Sequence, residues 1–430
     1  MDSSIAQETL VGRRRRLLGP GLRQFYDFPF HPVRGDGVWL YDDSGKRYLD
    51  AYNNVPHVGH CNAHVVSAIT RQAQTLNSNT RYLDEVILDY AERLLRTLPK
   101  SFGHCIFVCT GTEANDLAWR LAKAYTGGSG AIACRHAYHG NSTTVSALQG
   151  PGTGKNGAEW VARVPSPGLI AAQHATDAAR GATELAATFD VAIDTLAATG
   201  HKPCAAYFDT VFCSDGLHVP MPSGFMDAAV EHWRARGGIL VADEVLAGFG
   251  RVGTHMWGFE ALGVTPDIVT MGKPAGNGHP IGVVATRSEI VEAFFRQDRY
   301  FNTFGGNPVS CAAGIAVLEV LERERLQDRA RAVGAYLKQG LVGVSVKHDL
   351  IGGVRGAGLF VGVDLVEDRK SEAPAVKQAA KVMNEMARSG VLVGLSGPHK
   401  AMLKIRPPMV FSRENADELV QTLDRVLESG

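Results

Sequence analysis

Between residues 101 and 286 the chain repeats one pattern: a short apolar run, a polar or glycine residue, then a longer segment whose apolar residues recur with helical period. Cys105-Ile106-Phe107-Val108 leads into Thr110-Gly111-Thr112, Ala131-Ile132-Ala133-Cys134 into His136 to Gly140, and Ala205-Ala206-Tyr207-Phe208 into Asp209. Ile239-Leu240-Val241-Ala242 ends at Asp243, and Ile268-Val269-Thr270-Met271 runs into Gly272-Lys273. Strands joined by helices make a parallel sheet with both faces covered, which is why each strand reads as an unbroken apolar run. In such sheets the ligand site lies outside the carboxyl ends of the strands. The pattern predicts an α/β fold with a mostly parallel central sheet, its five runs delivering polar and glycine residues to one edge.

Asp243 and Lys273 carry the chemistry of that edge. An acid and an amine at neighbouring strand ends can face one bound molecule, and a pyridinium aldehyde matches both. The amine condenses with the aldehyde as a Schiff base, and the acid keeps the ring nitrogen protonated. That cofactor is pyridoxal 5'-phosphate. Taken alone, Asp243 reads equally as a helix N-cap and Lys273 as a surface lysine. Asp243, however, follows four apolar residues, and Lys273 sits between Gly272 and the turn-rich Pro274-Ala275-Gly276-Asn277-Gly278. Both are therefore expected in a low-dielectric cleft, where a lysine has a depressed pKa and acts as nucleophile and base.

Gly111-Thr112-Glu113-Ala114-Asn115 closes one strand and opens a helix with Leu117, Leu121 and Ala124 on one face. Free amides at a helix start hold anions, so this turn is the expected seat of the cofactor phosphate; its plainer reading is a strand-to-helix turn with Thr112 as N-cap. Tyr138-His139-Gly140 puts an aromatic ring beside it, worth roughly 1 kcal/mol in offset stacking on a flat pyridinium. His139-Gly140 is also a place where backbone can approach closely. Phe301 to Pro308 is a glycine turn in which Thr303 offers a hydroxyl to an anion.

The 44 acidic and 44 basic residues balance, so no field attracts a polyanion, and neither a nucleic-acid nor a membrane partner is expected. Arg13-Arg14-Arg15-Arg16 reads as a solvated arm. Seven scattered cysteines without a C-x-x-C pair favour a reducing compartment, with the cytoplasm as default. No apolar stretch approaches the roughly 18 residues of a membrane span, and Met1-Asp2-Ser3-Ser4 begins without the apolar core of a signal peptide.

The organisation expected is an N-terminal segment, 1–65, joining the small domain, a large cofactor-binding domain over 66–306, and a C-terminal α+β small domain over 307–430. The last begins with a long helical stretch, followed by strand-like alternation from Gly358 to Val366, then helix, strand and final helix. Gly150 to Gly168 has little period and reads as a long loop. Gly150 to Lys155 is only a P-loop lookalike, since Gln149 stands at the first glycine position and Asn156 replaces the Ser/Thr. His57, His60, Cys61 and His64 lack a second cysteine or carboxylate cluster, so no metal site is expected; they are expected to line or cap the site entrance.

Together these motifs resemble the class III, or omega, aminotransferase family of fold type I pyridoxal-phosphate enzymes. The resemblance runs from about Pro32 to the end. It is carried by Gly111 to Asn115, Tyr138-His139-Gly140, Asp243-Glu244-Val245 with Gly248-Phe249-Gly250-Arg251, Gly272-Lys273, and Thr303 to Pro308. It implies Lys273 as the Schiff-base lysine, Asp243 as the pyridine partner, Gly111 and Thr112 on the phosphate, and Tyr138 and Val245 on opposite ring faces. Thr303 would reach the phosphate of a neighbouring subunit, which implies a homodimer with shared active sites.

Within the family, Asn53 to Cys61, Leu76 to Leu83, Arg355 to Phe360 and Leu403 to Met409 look most like phospho-lyases acting on ethanolamine phosphate and 5-phosphohydroxylysine. Asn54, Arg81 and Lys404 are the candidate substrate contacts. A guanidinium such as Arg81 suits a phosphate, although a surface salt bridge is its plainer role. Many relatives pair a glutamate around 209–210 with an arginine near 404. Here those places read Asp209-Thr210 and Lys404-Ile405-Arg406. Their absence removes the usual carboxylate clamp of transamination, with Arg406 as a substitute two residues away. The phospho-lyases often keep that glutamate, so its absence counts against this subgroup too. A small-molecule amine is the expected substrate of a phospho-lyase, with an omega-aminotransferase as the alternative. An epimerase or racemase and a non-catalytic binding protein are the remaining readings.

Overall fold

The computed structural model describes residues 9–22, 24–150 and 157–429. Strands β1 (Pro32–Asp36), β2 (Trp39–Asp42) and β3 (Arg47–Asp50) form an antiparallel meander. The central sheet follows: β4 (His104–Val108), β5 (Gly130–Cys134), β6 (Val161–Val164), β7 (Pro203–Asp209), β8 (Ile239–Asp243), β9 (Ile268–Met271) and β10 (Gly282–Thr286), in the order β4-β10-β9-β8-β7-β5-β6. Strand β10 is antiparallel to both β4 and β9, while the other neighbours are parallel. Two reversals cancel, so β4, β5, β7, β8 and β9 all end on one edge. The mostly parallel α/β sheet is as the sequence predicts.

Side chains alternate across this sheet, as a pleated strand requires. Ile239, Val241 and Tyr207 join Leu117 and Leu121 of the helix Gly111–Thr126 on one face. Leu240, Ala206 and Phe208 join Leu185 and Phe189 of Ala178–Ala198 and Trp233 of Asp227–Ala235 on the other. Burying each large apolar side chain is worth roughly 1.5–3 kcal/mol, so both helical layers fix the sheet behind the site edge.

Beyond the helices Pro308–Arg323 and Leu326–Lys347 lie β11 (Ile351–Ala357), β12 (Phe360–Leu365), β13 (Val391–Leu392), β14 (Gly394–Ser396) and β15 (Met402–Ile405). The order β11-β12-β15-β14 makes a second antiparallel sheet, while β13 adds to the first meander in parallel with β3, Val391 opposite Leu49.

One sequence expectation is corrected, and one is borne out and extended. The stretch read as a loop from Gly150 to Gly168 contains the edge strand β6 and the start of the helix Pro167–Gln173. Four residues interrupted by Arg163 are too short to show a strand pattern. The alternation read from Gly358 to Val366 is half of a hairpin; its partner β11 is rich in glycine, which hides strand character. The P-loop lookalike lies, from Pro151 to Asn156, outside the described residues. Arg13 to Arg16 form part of the helix Leu10–Leu18, which has no buried residue. No helix among the described residues is long and apolar enough to cross a membrane.

Candidate active site

The helix Gly111–Thr126 starts where it does because of a capping box. Thr110 accepts from the Glu113 amide at 3.1 Å, and Glu113 Oε2 accepts from the amides of Cys109 and Thr110 at 2.6 and 3.0 Å. The N-cap is therefore Thr110, not Thr112. The amides of Gly111 and Thr112 are left without intrahelical partners and make an anion seat at the sheet edge. Glycines let the surrounding chain close on this seat. A Cβ on Gly111 would stand 2.9 Å from Val245 Cγ2, and one on Gly272 would stand 3.2 Å from Gly111 Cα. Gly140, at φ +141°, packs directly on Thr112, the close backbone approach expected at His139-Gly140.

Asp243, at the end of β8, is held by three donors. His139 Nδ1 and Asn115 Nδ2 reach Oδ2 at 2.8 and 2.9 Å, and the Val245 amide reaches Oδ1 at 3.1 Å. Asn115 also donates to the His139 carbonyl at 2.8 Å, and its own amide oxygen accepts from Thr270 at 2.7 Å. This network orients the buried Asp243 carboxyl group beside a cavity of about 330 Å³, lined among others by Thr112, Tyr138, Asp209, Asp243, Val245 and Lys273. Sequence reasoning missed Asn115 and Thr270. The available signal was an asparagine within the buried stripe Ala114, Leu117, Ala118, Leu121.

Lys273 opens the 3₁₀ turn Lys273–Gly276 after β9. Its side chain keeps exposure to the cavity rather than being enclosed. The protein crowded around it still lowers its pKa, first by desolvation and then by the charge of Arg406, against the opposing pull of Asp243 and Asp209. Asp209, whose two oxygens accept from the amides of Val211 and Cys213 at 3.2 and 2.9 Å, is pushed up to about 6 by burial and by Asp243. Tyr138 lines the cavity with 55% of its surface exposed.

Strand β15 carries Lys404 and, just beyond it, Arg406, both near enough to Lys273 for their charges to interact with it. They lie 5.3 and 5.5 Å from the same ring, Tyr52. Asn54 is fully buried with both side-chain amide atoms unpartnered. Thr210 faces away from the cavity and donates to Glu244 at 3.0 Å. Glu244 also accepts from the amides of Gly258 and Phe259 at 2.8 Å, and burial raises its pKa to about 7.

Asn54 and Lys404 do not themselves line this cavity, and other candidates are not brought to it either. Arg81 is exposed, its guanidinium 3.9 Å over the ring of Phe301, and Thr303 is exposed on the same side. The histidine cluster does not line it either, which corrects the expectation of an entrance. His57 contacts the Phe249 carbonyl and Arg251, His60 pairs with Asp50 and His64 with Glu319; Cys61 is exposed.

The profile Aminotransferase class-III matches residues 23–427. The chain belongs to the class-III aminotransferase family. It is 41% identical to a Drosophila melanogaster protein named alanine–glyoxylate aminotransferase 2-like, over 97% of this chain and 87% of that one. It is 39% identical to ethanolamine-phosphate phospho-lyase homolog 1 of Caenorhabditis elegans, over 98% and 94%. Among solved structures, a phospholyase from Arthrobacter in complex with phosphoethanolamine superposes with a TM-score of 0.93 at 41% identity, covering 98% of this chain and 100% of that one. This class-III enzyme is pyridoxal-phosphate dependent, with the fold type I architecture. The site fits the cofactor: a glycine-cleared anion seat, a carboxylate fixed by three donors, and a lysine of lowered pKa all border one cavity.

Proposed function

We propose that the enzyme is a phospho-lyase that eliminates phosphate and ammonia from a phosphorylated amine such as ethanolamine phosphate. The observation that carries this reading is the pair Lys404 and Arg406, side by side over Tyr52 and ion-paired to no carboxylate among the described residues. Thr210, where many transaminases carry the switching glutamate, bonds to Glu244 instead. Two neighbouring cations, and Asp209-Thr210 where many relatives carry the switching glutamate, suit a phosphate better than alternation between an amine and a 2-oxo diacid. The names of the Caenorhabditis and Arthrobacter relatives support the same reading. The relatives named as alanine–glyoxylate aminotransferases keep amino transfer to a 2-oxo acid as the second reading.

Bound pyridoxal phosphate supplies an aldehyde that takes up the amine and a ring that stabilises negative charge at the amine-bearing carbon. In our reading the Gly111 and Thr112 amides would hold its phosphate, Asp243 would hold its ring nitrogen as N–H, and Tyr138 and Val245 would cover its faces. His139 and Asn115 keep Asp243 oriented. Lys273 would take a proton from the amine-bearing carbon, and the lowering of its pKa raises the neutral fraction that a base requires. Phosphate then leaves the adjacent carbon, and water releases an aldehyde and ammonia. Ethanolamine phosphate and water thus give acetaldehyde, ammonia and phosphate, with no 2-oxo acid.

We further infer a homodimer in the cytoplasm. Exposed Tyr82, Leu83, Phe301 and Phe304 flank Arg81 and Thr303, an apolar surface suited to a second copy, so those two residues would serve a shared site. Seven free cysteines agree with a reducing compartment. The division into 1–65, 66–306 and 307–430 is supported by β13, which joins the C-terminal part to the N-terminal meander. Release of phosphate and ammonia from ethanolamine phosphate by the loaded enzyme, without added oxo acid, tests the lyase reading; amino transfer without phosphate release would contradict it.

A further inference from the structure

Asp209 is a buried acid that the chemistry above leaves unused. It ends β7 as Asp243 ends β8, and the two are register partners in parallel strands. Partners in such a ladder stand about 4.8 Å apart and send their side chains to the same face of the sheet. Both carboxyl groups accordingly line the cavity that Lys273 borders, although Asp209 is only 9% exposed and Asp243 4%.

The turn that Asp209 opens does not account for its charge. The amides of Val211 and Cys213 donate to it at 3.2 and 2.9 Å, but such a turn needs only an acceptor, which asparagine or serine also supplies. Among the described residues Asp209 makes no ion pair. A second carboxyl group beside Asp243 is also unfavourable in itself, and burial and then Asp243 push Asp209 up to about 6.

The groups around this acid pair come from both sheets. Cys134 ends β5 and His139 follows it; Cys213 and Asp215 belong to the segment after β7; Lys273 follows β9; Lys404 lies on β15 with Arg406 just beyond. His139 is already bonded to Asp243, Asp215 accepts from the His136 amide at 3.1 Å, and the Cys213 thiol lies 3.4 Å from Ser396 Oγ. Lys273 is the group on which these charges act in opposite senses. Beyond burial, which lowers its pKa most, Arg406 lowers it further, while Asp243, Asp209 and Cys213 raise it. In our reading Asp243 is engaged by the ring nitrogen of the cofactor, which leaves Asp209 as the acid free to oppose Arg406.

We propose that Asp209 is a positioning residue of the cofactor edge, the counterweight to Arg406 that governs whether the Lys273 nitrogen carries a proton once it is joined to the cofactor. The proposal rests on Lys273 as the cofactor lysine and not on the phospho-lyase reading. A protonated nitrogen makes the carbon bonded to it more open to attack by the substrate amine. Above about pH 6 Asp209 is charged and favours that proton; below it Asp209 is itself protonated and the effect fades.

The test is an absorbance titration against pH of the cofactor-loaded protein without substrate, for the native chain, Asp209→Asn, Asp209→Ser and Asp209→Glu. The visible band of the cofactor joined to Lys273 changes as that nitrogen loses its proton. Its midpoint should move about one pH unit toward acid in the two neutral variants, whereas Asp209→Glu, which keeps the charge, should stay near native. Arg406→Met should move the midpoint the opposite way. An unmoved midpoint in the neutral variants, or the same displacement in Asp209→Glu, would reduce Asp209 to a turn former and overturn the proposal, as would an unmoved midpoint in Arg406→Met. A visible band that survives in Lys273→Ala would instead overturn the assignment of Lys273, and the proposal with it.

Discussion

Thr270 donates its hydroxyl to the Asn115 amide oxygen at 2.7 Å, and that contact decides which end of the asparagine meets Asp243. With the oxygen engaged, Nδ2 is the end that reaches Asp243 at 2.9 Å. Thr270→Val keeps the shape of the side chain and removes the donor. It is expected to cost about 1 kcal/mol of stability and to weaken cofactor retention, with Thr270→Ser restoring both. Thermal unfolding and dialysis against buffer without cofactor measure this; a valine variant indistinguishable from native would refute the relay.

Asp243→Asn replaces one carboxylate oxygen with a nitrogen that cannot accept from His139, Asn115 or Val245. A folded protein with kcat/KM reduced by about 10²- to 10⁴-fold is expected. Near-native kcat/KM in a cofactor-saturated variant would remove Asp243 from the chemistry.

Lys404 gives the enzyme a pH signature. Burial brings its pKa down from 10.5 to about 8. Below about pH 8 the amine is charged in both folded and unfolded chains, and its burial cost is felt in full. Between about 8 and 10.5 the unfolded chain holds a proton that the folded chain has released, so this group's contribution to stability rises with pH. Substrate binding runs the other way: loss of the Lys404 charge should raise KM for a phosphorylated amine above about pH 8. Lys404→Arg should hold KM flat through that range, and an unchanged rise in that variant would assign it elsewhere.

Gly140 adopts φ +141°, and an added Cβ would meet Thr112 Oγ1 at 2.7 Å. Gly140→Ala therefore combines backbone strain with a clash at the anion seat. A destabilisation of about 1–3 kcal/mol is expected, together with weaker cofactor binding. Denaturant titration with and without cofactor separates the two effects.

The cofactor edge was legible because its residues sit at the ends of unbroken apolar runs, a local pattern that gave Asp243, Lys273 and Thr112 their places. Asn115 and Thr270 were harder to read, since each lies inside an element and acquires meaning only from its neighbour across the sheet. Arg406 was visible as a residue, but that its guanidinium ion-pairs with no carboxylate among the described residues is a tertiary fact. Strands β6 and β11 were hidden by Arg163 and by glycine. The same limit holds for Arg81: residue type suggested a phosphate contact, whereas the placement of its guanidinium over Phe301 is a tertiary fact.

The most direct measurement of the central claim is a single turnover with excess holoenzyme and ethanolamine phosphate, in the absence of any 2-oxo acid, scoring phosphate, ammonia, acetaldehyde and the recovered form of the cofactor. Elimination predicts the three products in equal amounts and a cofactor recovered as the aldehyde. No phosphate, with the cofactor recovered as its amine, would contradict it and establish amino transfer.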